Sequence, residues 1–242
     1  MSAAEGAAGA TPANPERLKE RLKDLLGIDL WVDANFPAIA PTKETEVAKL
    51  LQGYPGEVMV IGQGTSFPQE FSPPTDALIL LTTRLVEHFE YSAEDQVVEI
   101  SAGWGLAESR QRLATVGMVV PAWERFENGT IGGRLAGISS RHSGGRDGWT
   151  QSLLGITVAM PDGEQLGFGG RCIKDVAGYD LRHLFTGSRG NLGVILKAIF
   201  RCQPQSEWKS YGYPITLPKA AGRISPVLRK LLDPKGRMRS GV

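Results

Sequence analysis

Hydrophobic positions along this chain change period several times, and each change marks an element. Leu18, Leu22 and Leu25 or Leu26 recur at helical spacing after Asn14-Pro15. The spacing predicts a first helix with Asn14 as N-cap, Pro15 at its first position and Gly27 as its stop. Short apolar pieces follow around Ile28–Val32. Pro41-Thr42 opens a second helix, with Thr42 as cap, Val47, Leu50 and Leu51 on its buried side, and an end near Gly53. The period then shortens. Val58–Ile61, Ala77–Leu81 and Val97–Ser101 are short apolar runs between turn residues and predict three strands. Leu106–Leu113 is amphipathic and helical, closed by Gly117, and Met118–Val120 is a short strand ending at Pro121. Ile138–Gly148 is polar and rich in Ser, Arg and Gly. Leu153–Met160 and Gln165–Phe168 predict a hairpin across Pro161-Asp162-Gly163. Leu181–Phe185 predicts a short helix, and Val194–Cys202 a strand with Lys197 and Arg201 toward solvent. Trp208–Ile215 predicts one more strand, and Ser225-Pro226 restarts a helix through Leu232. Helices and strands do not simply alternate, and no segment repeats, so the pattern is mixed α and β.

Composition narrows the class. The chain has 242 residues, 41% of them hydrophobic and 22% charged, enough for one large domain or two small ones. Its formal net charge is +1, which gives no field that nucleic acid or a membrane surface would select. No apolar run approaches the roughly 20 residues that span a bilayer. The start, MSAAEGAAGATPANP, lacks a basic region and an apolar stretch, and residues 1–14 read as a disordered tail rather than a signal peptide. The expected location is cytoplasmic, with any membrane association made through a partner and no direct insertion. Cys172 and Cys202 follow no metal spacing and read as reduced buried thiols. No metal site is expected.

The thirty glycines cluster, and the clusters suggest chemistry. They are Gly62–Ser66 (GQGTS), Gly129–Gly137 (GTIGGRLAG) and Gly187–Gly193 (GSRGNLG). After a strand, GQGTS exposes consecutive backbone N–H groups with no side chains in the way, a nest for phosphate oxygens, and Thr65 and Ser66 add hydroxyls. A plain strand-to-strand turn fits GQGTS alone equally well. GTIGGRLAG suits either tight internal packing or the floor of a cofactor cleft. A dinucleotide-binding Rossmann unit fails: Phe67 stands at the third glycine position, and Pro68 and Pro73-Pro74 follow where a helix should begin. No GK[ST] follows either glycine pair, so a phosphate loop of the ATPase type fails too.

The ordered series VIGQGTS, VEISAGWGLAE, LATVGMVVP, GTIGGRLAG, RDGWTQSLLGITVAMPDGEQL and GGRCIKDVAGYDLRHLFTGSRGNLGVIL resembles the FAD-linked oxidases of the vanillyl-alcohol oxidase type. Within them it is most similar to the small FAD-binding subunits of glycolate oxidases, through Lys174–Leu181 (KDVAGYDL) and the late DPKG turn at Asp233–Gly236. The likeness covers about residues 38–202. It implies an α+β fold of the PCMH type, with two α+β subdomains, 15–120 and 121–216, clasping FAD, and a C-terminal helix and tail at 217–242. By that likeness Gly62, Gln63, Gly64, Thr65 and Ser66 would hold the diphosphate. Pro121, Thr130, Ile131, Gly132 and Gly133 would lie along the ribityl chain and diphosphate, Ala136, Gly137 and Ser139 nearer the flavin ring, and Gly190, Gly193 and Val194 by the adenosine. A side chain on Gly132 would then intrude on the cofactor. Covalent flavoproteins of this type can carry a His in the loop matching residues 62–70; none stands there, so the expected FAD is non-covalent. The resembled enzymes insert a cap domain where this chain runs directly from the strand near Trp208–Ile215 to its last helix, so the implied fold has no cap.

Catalytic residues stay unassigned. His88, His142 and His183 follow no metal spacing, and only His142 lies in a loop that should pass the flavin. Arg134 or Arg141 could supply positive charge beside the cofactor, or be ordinary surface residues. No Ser/His/Asp or Cys/His pairing is visible, so the flavin would carry any chemistry. The resemblance implies an FAD-dependent oxidoreductase subunit of a glycolate- or lactate-type 2-hydroxy-acid dehydrogenase complex. A larger FAD-containing subunit and an iron–sulfur subunit would be partners, with electrons passing to the iron–sulfur partner or a quinone, and the small 2-hydroxy acid would be met through the complex. The alternatives are a non-catalytic structural subunit of such a complex and a stand-alone FAD-binding module.

Overall fold

The computed structural model describes residues 15–32, 34, 36–67, 77–137, 152–171, 181–208 and 226–239. Helix α1 (Pro15–Leu26) buries Leu18, Leu22 and Leu26 in one stripe. Gly27 ends it with a left-handed φ of 75° and donates its amide to the Lys23 carbonyl at 2.8 Å. Helix α2 (Glu44–Gly53) starts two residues after the expected Thr42 cap. The Glu46 carboxylate reaches back and accepts the amides of Thr42 and Lys43 at 2.8 and 3.1 Å, and Thr42 donates its hydroxyl to the same group. The orphan amides ahead of the helix are thus satisfied from inside it, which corrects the role read for Thr42.

Two five-stranded sheets carry the fold. The first comprises β1 (Trp31–Val32), β2 (Ala38–Ile39), β3 (Val58–Ile61), β4 (Leu78–Leu81) and β12 (Met238–Arg239), in the order β1-β2-β4-β3-β12. Its last four strands run parallel, with Val58 opposite Leu78 and Ile61 opposite Leu81. Both faces are covered, which is why β3 and β4 read as unbroken apolar runs. Strand β12 is fastened by buried Asp233 and Arg237. Asp233 accepts the amides of Arg237 and Met238 at 2.9 and 2.8 Å, and the Arg237 guanidinium donates to the carbonyls of Leu51, Tyr54 and Pro161.

The second sheet is antiparallel: β5 (Phe89–Ser92), β6 (Val97–Ser101), β8 (Leu153–Ala159), β9 (Gln165–Gly169) and β10 (Val194–Arg201), in the order β5-β6-β10-β8-β9. Strands β7 (Met118–Val119) and β11 (Gln203–Pro204) pair separately. Helices α3 (Leu106–Ala114) and α4 (Ile131–Gly137) contribute Leu106, Leu113, Ile131 and Leu135 to a core shared with Ile100, Ala198 and Phe200 of this sheet. Trp123, fully buried, meets Phe200 edge to face at 5.4 Å in the same core. Of the expected solvent-facing pair on β10, Arg201 is exposed, whereas Lys197 is half-buried against Glu99 at 2.9 Å. The other core joins α1, α2 and the first sheet to Ala159, Val194 and Leu196 of the second. Burying each such aliphatic side chain is worth roughly 1.5–3 kcal/mol, so this seam ties the sheets together.

The chain changes sheet between Leu85 and Phe89, because Val98 and Ile100 of β6 belong to the core of β10. Strands β5, β6, β8, β9 and β10 then build the second sheet, and α5 (Pro226–Leu232) leads back to the first. Between Trp208 and Pro226 the chain has too few residues for a further domain. Strand positions expected at 209–215 lie outside the described residues. Among those described, no helix is long and apolar enough to cross a membrane.

Candidate functional site

The three glycine clusters meet. Buried β3 ends at Ile61 and releases the chain into Gly62–Ser66. Gly64 takes a left-handed φ of 72°, and the position its Cβ would occupy has no heavy atom within 4 Å. None of the five amides from Gly62 to Ser66 makes a hydrogen bond among the described residues. A short run of amides around one left-handed glycine, open to solvent, has the donor set that anion-binding concavities use.

The second cluster packs directly against this turn. A Cβ on Gly62 would strike the Thr130 hydroxyl, and Gly133 Cα lies 3.6 Å from the same point. Gln63 accepts the Gly129 amide at 3.1 Å. A Cβ on Gly137 would lie 3.7 Å from the Ser66 hydroxyl. Residues 131–137 form α4 despite their glycines, because their amides have fixed acceptors. Ile131 and Gly132 donate to the carbonyls of Trp104 and Ala102, each at 2.9 Å. Thr130 caps the helix by accepting the Gly133 amide at 3.1 Å, and Arg134 donates to the Thr130 carbonyl at 2.9 Å. Helix α4 therefore offers backbone surface to a ligand and no free amide at its start. Gly132 is buried, and its Cβ would come 2.7 Å from Ala102 Cβ. The Cβ direction of Gly132 thus faces the packed loop after β6.

The third cluster closes the other end of α4. Gly187 and Arg189 donate to the carbonyls of Leu135 and Ala136, each at 2.9 Å, satisfying carbonyls at the end of a helix. Gly190, at φ 76°, lies over Val60 of β3, so this loop also spans back to the first sheet. Gly193 and Val194 are closely packed. A Cβ on Gly193 would come 2.6 Å from the Ala159 carbonyl oxygen, and Val194 is fully buried in the seam between the sheets. Ala136 is half-buried at the edge of the core. Pro121 opens the 3₁₀ turn Pro121–Arg125, which leads from β7 toward Gly129. Ser139, Arg141, His142, Cys172 and all of KDVAGYDL except Leu181 lie outside the described residues.

Several contributors carried no sequence signal. Ala102 and Trp104 act through backbone carbonyls, and Arg110 holds the segment before Gly129 by donating to the carbonyls of Trp123, Phe126 and Glu127. The remaining chemistry is quiet. Cys202 is buried, which pushes its thiol up to about 12 and keeps it protonated. His88 lies 3.8 Å from Glu99, away from the glycine turns. Among the described residues no group of three or more His, Cys, Asp or Glu is placed to hold a metal. A groove of about 280 Å³ on α3, lined by Arg110, Met118, Val120, Glu124 and Trp208, shares no residue with the three clusters.

An FAD binding domain family model matches residues 37–169. D-lactate dehydrogenase of Archaeoglobus fulgidus is 29% identical over 208 residues, covering 82% of this chain and 46% of that protein. Glycolate oxidase subunit GlcD of Bacillus subtilis is 28% identical over 176 residues, covering 71% and 37%. Glycolate oxidase subunit GlcE of Escherichia coli is 32% identical over 122 residues, covering 48% and 34%. The chain spans less than half the length of each of these relatives. A solved alkyldihydroxyacetonephosphate synthase superposes with a TM-score of 0.64 at 19% identity, over 83% of this chain and 42% of that one, a likeness of fold.

Proposed function

The chain belongs to the FAD binding domain family, and on that premise we propose that it is the flavin-holding part of a glycolate- or lactate-type 2-hydroxy-acid dehydrogenase complex. The observation that carries this is the run of five amides at Gly62–Ser66, unbonded among the described residues and set against the bare backbone of Gly133 and Gly137. These amides and the hydroxyls of Thr65 and Ser66 donate to the cofactor's diphosphate. Gly133, Ala136 and Gly137 let the elongated ligand lie close to α4, and Gly190 bounds its adenosine end. In this reading the two lobes that clasp the cofactor are the two sheets with their helices. FAD, when bound, supplies the redox chemistry.

The same reading holds the cofactor non-covalently and places the chain beside a larger FAD-containing subunit and an iron–sulfur subunit, which takes up the electrons. The relatives support it: two are subunits of glycolate oxidase and one is a D-lactate dehydrogenase. The visible spectrum of the purified chain tests it. Flavin bands that survive desalting and leave on acid precipitation are expected. A folded, colourless chain that cannot be reconstituted with FAD would sink the proposal. Bleaching of the bands by glycolate or D-lactate, in the complex but not in the isolated chain, is expected for the division of labour. Co-purification of an iron–sulfur subunit checks the partner.

A further inference from the structure

Arg134, at the meeting of the first two clusters, carries a charge that no carboxylate among the described residues answers. It projects from α4, and its Nε donates to the Asn128 carbonyl at 2.7 Å. Its Nη2 donates to the Thr65 hydroxyl oxygen at 3.3 Å, inside the GQGTS turn. The guanidinium lies 4.8 Å from the centre of the Phe126 ring. Gly129 makes the room for this placement: a Cβ there would come 3.1 Å from Thr65 Oγ1 and 3.2 Å from Arg134 Cζ. Nη1 has no hydrogen-bond partner among the described residues.

Four other cations of the fold lie against carboxylates. Lys197 and Arg171 pair with Glu99, Arg239 pairs with Glu57, and Arg237 has Asp233 nearby. Arg134 is half-buried and pairs with no carboxylate among the described residues. Burial lowers its pKa from the usual arginine value, and no acid counteracts the shift. Holding a partly desolvated, unpaired charge costs free energy unless an anion completes the arrangement. The five amides of the adjoining turn, unbonded among the described residues, point to the same class of ligand.

We propose that Arg134 is a binding residue for the cofactor's diphosphate, tethered to the GQGTS turn through Thr65 so that guanidinium and amides close on one anion. The inference rests on the FAD reading and adds to it the source of the positive charge. An arginine at this point also selects for ligands that carry a phosphate over the bare flavin, since its unpaired N–H groups gain nothing from an uncharged ring system.

The test compares three probes on the full chain stripped of flavin: FAD, ADP and riboflavin. FAD and riboflavin are followed by flavin fluorescence and ADP by calorimetry. Arg134→Gln is expected to raise the Kd for FAD and for ADP roughly tenfold or more and to leave riboflavin within about threefold. Arg134→Lys keeps the charge without the planar fork and covers the case of a Gln variant that does not fold; it is expected to weaken ADP by about three- to tenfold. ADP affinity unchanged in either folded variant overturns the role of Arg134, and so does an equal loss for riboflavin. An unmodified chain that binds neither FAD nor ADP overturns the cofactor reading itself. An unmodified chain that binds FAD, with variants that bind ADP equally well, overturns only the inference about Arg134.

Discussion

GQGTS and GTIGGRLAG have similar composition and touch each other, yet their glycines are required for opposite reasons. In the first, Gly64 has a left-handed backbone and open space around it, and five amides have no hydrogen bond among the described residues. In the second, the first four amides of α4 are all bonded within the protein, and Gly132 has no room for a side chain because Ala102 fills it. One stretch leaves its donors open. The other spends its donors on the fold and offers a smooth surface. Glycine-rich sequence near a cofactor thus has two physical meanings, and substitution separates them.

The largest effect is expected at Gly132. A valine there drives Cβ into Ala102 Cβ at 2.7 Å with the Ala102 carbonyl oxygen at 3.3 Å, and neither can turn aside as the end of a flexible chain could. Overpacking of this kind costs about 3 kcal/mol or more at a buried backbone contact. The Gly132→Val chain is expected to lose soluble yield, or to melt at least about 10 °C lower, before any question of flavin arises. Normal melting with loss of flavin would put Gly132 back at the cofactor and break the distinction. At Gly64 the balance reverses. Gly64→Ala meets no neighbour, so only the strain of φ 72° is expected, about 1 kcal/mol in denaturant unfolding. Its FAD Kd should rise roughly tenfold, because the turn relaxes away from the geometry that converges its amides. Unaltered FAD affinity in Gly64→Ala would remove the turn from the site.

This contrast also marks where sequence stopped being informative. Strands β3, β4, β6, β8 and β10 were legible because buried strands collect unbroken apolar residues. Strand β5 was not: FEYS is half-exposed at a sheet edge and lacks such a run. Strand β12 is two residues long and exists because Asp233 and Arg237 hold it beside β3, a contact across the whole chain. Helix α4 contradicts its own propensity, since glycine disfavours a helix interior by about 1 kcal/mol. Its amides find Trp104 and Ala102 only in the folded state, so no local pattern announces it. The meeting of the clusters was inferred from their order along a family-like series; the hydrogen bonds from Gly187 and Arg189 to α4 are the physical form of that meeting.

Thr130 gives a smaller and sharper check. Its hydroxyl oxygen accepts the Gly133 amide, and the residue is buried. Thr130→Val keeps the shape and removes the cap, so ligand-free stability should fall by about 1 kcal/mol. Denaturant unfolding of the flavin-stripped chain reads this directly. No loss would mean that the Gly133 amide already has another outlet, and that α4 resembles the donor turn more than its geometry states.

The smallest effect is expected away from both stretches, at Glu99 on the second sheet. Burial raises its carboxyl, but the hydrogen bonds and charges of Lys197 and Arg171 outweigh this and leave the pKa below the ordinary 4.5. A carboxylate depressed on folding contributes stability above its unfolded pKa and loses it as the pH falls through the folded value. The window is therefore below about pH 4.5, and neutral stability should be flat with respect to this group. Glu99→Gln is expected to cost about 1 kcal/mol or less at pH 7, since Arg171 and His88 are partly solvent-exposed. The cost should disappear in acid, so that the variant and the unmodified chain converge in denaturant unfolding near pH 3. Because Lys197 and Arg171 answer Glu99 without involving the glycine turns, FAD affinity at pH 7 should not change in Glu99→Gln. A weakened Kd there would mean that the second sheet transmits its surface charge to the turn, and that the donor turn and the scaffold are less separable than their hydrogen bonds make them.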